Sequence, residues 1–445
     1  MLKLINFIIR RCKQILIVLF VISAVYVITI FYVMQPLSKN NVNISNTYTI
    51  LEHVETGINH AKKYFHHVST LIRQDVRKQG LLGMDTTNES AAVLTNVISV
   101  TPKSVSDHSN YGTKRLNIIF PNVAERQFAT RPLECYSIHK ESLSDISDIN
   151  SPKSRSIFFL ETSCTSHIKG RIALTSRQAC AVESAARMNP NLDVYVLFVS
   201  PGIVKYAGTE SDKFLTAILS YKNVKLHHLD FKRYLQDTPL EDILESGKLE
   251  WSSFPVTHAS DILRFITLWK YGGIYMDLDI VTLKSLESLA PNFVVLETFT
   301  HSAAGVIGFT ATGDGHRFAE FCINDLKLNF RGHSWNQNGP LVATRLIESM
   351  CKTKITKNIL NKTCNGLKVY PPEVFYPISG FDLVALFNAS FNGAALNVLS
   401  NSYGIHVWNT LSKHLPIYVK TSNVSYAILA KKYCPKVFQK CKTLF

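Results

Sequence analysis

The sequence contains no Cys-x-x-Cys pair, although it has nine cysteines. Closely spaced cysteine pairs are typical of structural zinc sites, so their absence argues against a zinc-binding protein. Cys12 lies near the N-terminus, and the other eight cysteines all follow residue 134, an even number that permits disulfide bonds. Cys351 and Cys364 bracket a short, polar, lysine-rich loop and are the pair that we predict first.

Acidic residues are scarce, with 33 Asp and Glu against 48 Lys and Arg, which gives a formal net charge of +15. An excess of this size often indicates a polyanionic partner such as nucleic acid. After residue 34, however, the basic residues are scattered and form no long run. We therefore predict no nucleic-acid partner and interpret the charge as a solvated basic surface, with attraction of an anionic ligand as the alternative.

Charge is absent from residues 15–34, a run of twenty residues that could cross the roughly 30 Å hydrocarbon core of a bilayer as a helix. Residues 1–14 carry basic side chains and no acid, which places the N-terminus in the cytoplasm. A signal peptide is the alternative, but its apolar core is normally about 7–15 residues long and ends in small residues. We predict a cytoplasmic tail over 1–14, a signal anchor over 15–34 and a single-pass type II protein.

Few periodic elements follow the anchor until about residue 153, and residues 82–113 are rich in Ser, Thr and Asn. We predict a luminal stem over 35–153 that is partly disordered, and a folded domain over 154–445. Five Asn-x-Ser/Thr tripeptides fit luminal exposure and N-glycosylation, at Asn43, Asn88, Asn361, Asn388 and Asn423.

The folded domain alternates predicted strands with predicted helices. This order is typical of an α/β domain with a mainly parallel sheet and helices on both faces. Ligands of such sheets bind at the carboxyl ends of strands, so Glu161 and Thr162 lie either at a nucleotide site or in a plain loop. The strands are predicted over 157–160, 193–199, 224–228, 294–297 and 305–309, and the helices over 175–188, 213–220, 257–271 and 341–350.

Two acids, Asp277 and Asp279, follow a short apolar run and the pair Gly272 and Gly273. If the backbone is extended there, alternate side chains share one side and both acids point the same way. Neighbouring carboxylates with room for water and phosphate suit a hard cation such as Mg²⁺ or Mn²⁺. The same pattern also occurs in surface turns, so it leaves that alternative open.

A charged pair precedes these acids. Asp261 and Arg264 are three residues apart on the predicted helix 257–271, so they lie on one side of it. Because the helix ends at the glycines, it would bring the pair next to Asp277 and Asp279. An ordinary ion pair on the helix surface is the alternative.

Two later segments are ambiguous. Residues 335–340 form a polar turn with a tryptophan, which would either contact a sugar or only cap the next helix. His406 lies in an apolar strand, where a lone histidine is more often a core residue than a ligand. Its spacing in the sequence provides no link to Asp277 and Asp279.

Residues 260–279 resemble the motif of the Asp-x-Asp glycosyltransferases of family 32. More narrowly, they resemble the globotriaosylceramide synthase group (lactosylceramide 4-α-galactosyltransferases) and its α-1,4-N-acetylglucosaminyltransferase relatives. The resemblance extends from about Phe158 to Phe438 through motifs in the same order, over 159–163, 182–190, 237–240, 338–340, 371–377, 406–409 and 433–435.

The resemblance implies a GT-A fold, with a Rossmann-like nucleotide half behind the N-terminal transmembrane helix. It also implies that Asp277 and Asp279 hold Mn²⁺, or Mg²⁺, against the diphosphate of a UDP-sugar. His406 would be the third protein ligand, so the resemblance favours a ligand over a core residue at this position.

The same resemblance assigns residues to the donor. Asp261 and Arg264 would hold the sugar hydroxyls and the phosphate, with Tyr275 nearby. Glu161 and Thr162 would lie beside the uridine. Together with the cation, Arg264 would stabilise the negative charge that develops on the leaving diphosphate.

The implied activity is a retaining α-1,4-glycosyltransferase of the Golgi membrane. It would move galactose or N-acetylgalactosamine from a UDP-sugar to the terminal sugar of a glycosphingolipid. A front-face reaction and a double displacement both stay open, and so does homo-oligomer formation.

One departure from the family pattern concerns the donor. Relatives often have an Asn at the start of the segment that reads Ala-Ala-Gly-Val-Ile-Gly-Phe here, over 303–309. Without it, galactose, N-acetylgalactosamine and N-acetylglucosamine all stay open as donor sugars. The alternatives are N-acetylglucosamine transfer to glycoprotein O-glycans, a GDP-mannose enzyme, or a non-enzymatic luminal glycan-binding protein.

Overall fold

The computed structural model describes residues 133–138, 140–149 and 155–445. The predicted cytoplasmic tail (1–14), the signal anchor (15–34) and most of the stem (35–153) lie outside the described residues. Among the helices that are described, none combines the length and the apolar character that a membrane span requires. The anchor therefore stays a prediction.

The centre of the described chain is a large, mostly parallel sheet. The strands of the described chain are β1 Ile157–Glu161, β2 Val194–Phe198, β3 Val224–His228, β4 Gly273–Met276, β5 Ile280–Thr282, β6 Phe293–Leu296, β7 Ser302–Phe309, β8 Thr363–Cys364, β9 Leu367–Tyr370 and β10 Gly404–His406. Eight of them form the large sheet in the order β3-β2-β1-β4-β7-β6-β9-β8. Four of its seven neighbouring pairs are parallel, including the three pairs among β3, β2, β1 and β4. A second sheet pairs β5 with β10 in antiparallel register.

Helices cover both faces of the large sheet, as the alternation of elements predicted. The full set is α1 Thr165–Lys169, α2 Ser176–Met188, α3 Glu210–Leu219, α4 Phe231–Leu235, α5 Pro255–Tyr271, α6 Asp314–Asn329, α7 Pro340–Cys351, α8 Val384–Phe387, α9 Asn392–Val398, α10 Asn409–Ser412, α11 Ser425–Tyr433 and α12 Pro435–Lys440.

Alternate residues of the inner strands belong to two separate hydrophobic clusters. In β1, Ile157 and Phe159 pack in the cluster that includes α2, α3 and α11. Phe158 and Leu160 pack in the other cluster, with α5, α6 and α7. Because successive side chains of a strand point to opposite faces, the sheet is buried on both sides, and its strands read as continuous apolar runs.

One edge of the sheet collects the polar ends of the strands. The parallel strands β1, β2, β3 and β4 end there, and β6 ends there too because β7 runs antiparallel between β4 and β6. The predicted strands agree with the observed ones to within about three residues at either end. This edge is where the sequence placed Glu161 and the acid pair.

The condition of an extended backbone through Asp277 and Asp279 is not met. The chain turns after β4, and the Ile280 N–H donates to the Asp277 carbonyl oxygen (3.1 Å). Gly272 ends α5 with a positive φ of 63°, and a Cβ there would lie 2.3 Å from the backbone nitrogen of Ala311. The glycine therefore permits the sharp passage from α5 into β4 that ends at the acids.

Three disulfides form within the described residues, and the predicted pair Cys351–Cys364 is one of them. The others are Cys135–Cys164 and Cys180–Cys434. Because Cys135 is buried and bonded to Cys164, residues that we assigned to the stem pack against the folded domain. The folded domain thus begins before the predicted residue 154, since the stem composition concealed a short buried segment.

Candidate active site

Asp277 and Asp279 lie in the turn between β4 and β5, and each has one carboxylate oxygen engaged by the protein. Asp277 Oδ1 accepts from the Tyr275 hydroxyl (2.5 Å) and lies 3.5 Å from Arg264 Nη1. Asp279 Oδ2 accepts from the Asn409 N–H (2.8 Å). These contacts fix the orientation of each carboxylate. They leave Asp277 Oδ2 and Asp279 Oδ1 as the oxygens on the opposite sides.

His406 is the third side chain of the group that contains the two acids. It ends β10, which pairs with β5 so that His406 lies opposite Ile280. Its Nε2 is 3.1 Å from Asp279 Oδ1 and 4.0 Å from Asp277 Oδ2. The Trp408 N–H donates to Nδ1 of the same ring (3.1 Å), which orients Nε2 toward the acids.

These three side chains fit a divalent cation. One ligand atom from each lies within 4.8 Å of the others, and all three residues are partly buried. Two carboxylates and an imidazole suit Mn²⁺, with Mg²⁺ as the harder alternative. Gly305 leaves the required room, because a Cβ there would lie 2.7 Å from Asp277 Oδ2.

Burial raises the pKa of Asp279, and the neighbouring Asp277 raises it further, while His406 and the Asn409 N–H lower it. A carboxylate in that environment is costly to ionise without a counter-charge. A bound cation would supply that counter-charge.

Arg264 lies behind the acids, with only 6% of its side chain exposed. Its Nη2 is 3.0 Å from Asp261 Oδ1, and its Nη1 donates to the Ala304 carbonyl oxygen (2.6 Å). Its guanidinium also stacks over the Tyr275 ring at 4.7 Å. Burial lowers the pKa of Arg264, but Tyr275, Asp277 and Asp261 more than offset this and raise it above its usual value.

The sequence assigned Arg264 to the donor, with Tyr275 nearby, and the structure places both residues in the buried layer behind Asp277. Tyr275 is 1% exposed, and its hydroxyl contacts Asp277 and Ser260. Because the nitrogens of Arg264 are bonded to protein oxygens, Arg264 and Tyr275 orient Asp277, and Arg264 adds a positive charge beside it.

Asp261 retains an oxygen for a ligand. Oδ1 pairs with Arg264, whereas Oδ2 is buried and has no partner among the described residues. A Cβ at Gly339 would lie 2.2 Å from Oδ1, so the polar turn before α7 passes directly against this carboxylate. A buried carboxylate oxygen without a donor is expensive, and a sugar hydroxyl would satisfy it.

Glu161 and Thr162 lie at the end of β1, which is the neighbour of β4, the strand that leads into the acids. Glu161 Oε1 accepts from the Ser163 N–H (3.1 Å) and hydroxyl (2.6 Å), while Oε2 is buried without a partner in the described chain. Thr162 Oγ1 donates to the Val256 carbonyl oxygen (3.4 Å), which joins this end of β1 to the start of α5.

Burial raises the pKa of Glu161 to about 7, although the Ser163 donors lower it. Because the folded-state pKa exceeds the unfolded value of about 4.5, the folded protein binds the extra proton between these pH values. We expect stability to fall as pH rises from about 4.5 to 7, by an amount on the order of 3 kcal/mol from this residue.

Melting temperatures at pH 5, 6, 7 and 8 check this, because Glu161→Gln should flatten the slope. Glu245→Gln, at an exposed ion pair, is the control and should keep it. An unchanged slope in Glu161→Gln would show that this carboxyl is ionised throughout.

Sequence reasoning missed two residues that support the site. Tyr376 is 4% exposed and its hydroxyl has no partner among the described residues, yet a Cβ at Gly305 would lie 2.8 Å from that oxygen. Asn409 contributes a backbone N–H to Asp279, a role that any side chain would permit. Both lie in motifs quoted for the resemblance, but only the fold brings them to the acids. Trp335, in the turn that the sequence suggested as a sugar contact or a helix cap, is half exposed.

A mostly parallel sheet with two Asp-x-Asp carboxylates and a histidine at its carboxyl edge defines a glycosyltransferase with a GT-A-like fold. Residues 175–296 match the family model "Glycosyltransferase sugar-binding region containing DXD motif". Residues 311–441 match the model "Alpha 1,4-glycosyltransferase conserved region". The chain belongs to this α-1,4-glycosyltransferase family.

Curated relatives carry two activities in their names. Lactosylceramide 4-alpha-galactosyltransferase of Mus musculus is 31% identical over 289 residues, which cover 64% of this chain and 76% of the relative. Alpha-1,4-N-acetylglucosaminyltransferase of Homo sapiens is 30% identical over 295 residues, covering 64% and 80%. Among solved structures, the chain matches galactosyltransferase LgtC in complex with donor and acceptor sugar analogues. The match covers 64% of this chain and 95% of LgtC, with 12% identity and a TM-score of 0.32. This similarity is too low to support a functional argument.

Proposed function

We propose that this protein is a retaining α-1,4-glycosyltransferase that moves galactose or N-acetylgalactosamine from a UDP-sugar to the terminal sugar of a glycosphingolipid. The convergence of Asp277, Asp279 and His406 at the carboxyl edge of the sheet carries the proposal. Family membership supports the α-1,4 linkage.

The three side chains would hold Mn²⁺ or Mg²⁺ through Asp277 Oδ2, Asp279 Oδ1 and His406 Nε2. A cation bound there would offset the charge that develops on the diphosphate when the anomeric C–O bond breaks. The protein prepares this arrangement in advance. Tyr275 and Arg264 fix Asp277, and the Asn409 N–H fixes Asp279.

The donor would extend from the end of β1 to Asp261. Glu161 and Thr162 would lie beside the uridine, and the unpartnered Asp261 Oδ2 would accept a hydroxyl of the transferred sugar. In a front-face reaction the departing phosphate takes the acceptor proton, so no strong protein base is required.

A second candidate is transfer of N-acetylglucosamine to glycoprotein O-glycans. The similarity to the N-acetylglucosaminyltransferase is about as high as that to the galactosyltransferases. In addition, residues 303–309 contain no Asn, and this segment lies beside the acids through Ala304, whose carbonyl oxygen accepts from Arg264. The donor sugar must therefore be measured.

We further propose that the enzyme is a single-pass type II protein of the Golgi membrane, with residues 15–34 as its anchor. The uncharged run and the preceding basic residues support this. The three Asn-x-Ser/Thr sites in the described chain, Asn361, Asn388 and Asn423, are all exposed, which suits a luminal glycoprotein.

Purified full-length protein should be incubated with Mn²⁺ and each of UDP-galactose, UDP-N-acetylgalactosamine, UDP-N-acetylglucosamine and GDP-mannose. Lactosylceramide, other short glycolipids and an O-glycan peptide serve as acceptors. We expect one of the first two donors to be used, with a new α-1,4 bond to the glycolipid. Preferred use of UDP-N-acetylglucosamine on the peptide would favour the second candidate. Turnover of GDP-mannose, or sugar binding without turnover, would overturn the proposal.

A further inference from the structure

Arg177 is a buried cation in an unusual position. It is the second residue of α2 and only 7% exposed. A positive charge at a helix N-terminus is disfavoured by the helix dipole, and within the described residues Arg177 has no carboxylate partner. Burial lowers the pKa of Arg177. Burying a charge without a counter-charge is costly unless its hydrogen bonds are satisfied, so the partners of this guanidinium indicate what it stabilises.

Those hydrogen bonds reach the end of α10, which lies 235 residues further along the chain. Nη1 donates to the Ser412 carbonyl oxygen (2.9 Å), and Nη2 donates to the Leu415 carbonyl oxygen (2.5 Å). The guanidinium is held between Phe387 and Tyr426, at 5.4 and 5.6 Å from their ring centroids. The arginine therefore holds the chain that follows α10 in one position.

The other end of α10 contacts the cation site. Trp408, just before the helix, has a left-handed backbone with φ of 53°, which is strained for a bulky residue. That conformation lets the Trp408 N–H reach His406 Nδ1 and the Asn409 N–H reach Asp279 Oδ2. A strained turn of this kind persists only when surrounding contacts hold it.

Ser412 connects the two ends. Its N–H donates to the Trp408 carbonyl oxygen (2.8 Å), and its hydroxyl donates to the Val407 carbonyl oxygen (2.7 Å). A continuous series of hydrogen bonds thus runs from Arg177 through Ser412 to the residues that orient two of the three ligand side chains.

We propose that Arg177 is a positioning residue for the divalent cation: it holds α10 so that the Trp408 turn keeps Asp279 and His406 in ligating positions. The inference rests on the cation site of the proposed function, but it concerns the affinity of that site rather than the sugar that is transferred. Arg177 contacts neither the acids nor His406, so it acts only through α10.

Mn²⁺ binding to the full-length protein tests this directly, by the electron paramagnetic resonance signal of free Mn²⁺ with UDP present. We expect Arg177→Met to raise the Mn²⁺ dissociation constant at least tenfold, and Arg177→Lys to raise it less, because an ammonium can still donate to the carbonyls. Arg187→Met is the matched control. Arg187 lies on the same helix and donates to the Lys432 carbonyl oxygen, away from α10, so its loss should leave Mn²⁺ binding unchanged.

A purely structural role would lower the melting temperature of Arg177→Met and leave Mn²⁺ affinity within twofold of the wild type, which would overturn the proposal. If Arg177→Met does not fold, Ser412→Ala decides, because it removes one bond of the same series: weaker Mn²⁺ binding supports the proposal and unchanged binding refutes it. Failure of the wild-type protein to bind Mn²⁺ with UDP would instead refute the cation site itself.

Discussion

Replacing Asp279 with Ala is expected to lower the transfer rate by at least about 10²–10³-fold while the protein stays folded. The substitution removes the oxygen nearest to His406 Nε2, at 3.1 Å, and leaves Asp277 and His406 without their shared neighbour. Stability of the cation-free protein should be unchanged or higher, because the lost carboxyl is buried next to another acid, and burial raises its pKa. Initial rates and melting temperatures measure both effects.

The thermal shift caused by Mn²⁺ and UDP provides an independent readout, since a ligand that binds only the folded state raises its stability. The shift should disappear in Asp279→Ala and persist in the control Asp314→Ala. Asp314 begins α6 after β7, at the opposite edge of the sheet. Wild-type rates in Asp279→Ala would remove the acids from the mechanism.

Replacing Arg264 with Met is expected to lower the free energy of unfolding by about 3–5 kcal/mol. The change leaves two buried or partly buried carboxylates, Asp261 and Asp277, without their cation, and it frees the Ala304 carbonyl oxygen. Transfer should fall as well, because Asp277 loses one of the two groups that orient it. Urea unfolding and initial rates measure the two losses.

A double variant separates the ion pair from simple packing. Because Asp261→Asn removes the carboxylate that Arg264→Met leaves unpaired, the double variant should be less destabilised than the sum of the single changes. Arg317→Met, at an exposed ion pair with Asp314, is the control and should unfold like the wild type. Strict additivity would mean that Arg264 and Asp261 do not stabilise each other.

Local pattern was sufficient for the parts of the site that one segment supplies. Helix α5, the glycines and the two acids are contiguous, so the sequence predicted that Asp261 and Arg264 meet Asp277, and the ion pairs confirm it. The strands β1, β2 and β3 could also be predicted from the sequence, because strands buried on both faces are continuous apolar runs.

The third member of the site could not be derived from spacing. His406 is 127 residues beyond Asp279, and the pairing of β10 with β5 that brings them together involves only three residues on each strand. Only the resemblance predicted it. The roles of Arg177 and Asn409 leave no pattern in the sequence. The Arg177 guanidinium donates to backbone carbonyl oxygens 235 and 238 residues away, and Asn409 contributes only a backbone N–H, so neither contact requires a particular partner side chain near it in the sequence.

The disulfide between Cys180 and Cys434 and the strand pairing of β10 have a consequence for biogenesis. The two acids are synthesised long before His406. Cys180 in helix α2 can form its disulfide only after Cys434, 254 residues downstream, has been synthesised. A nascent or prematurely terminated chain that ends before residue 406 therefore has the Asp-x-Asp motif but not the complete set of ligands. Nonsense mutations between codons 280 and 406 should therefore abolish activity as fully as earlier ones.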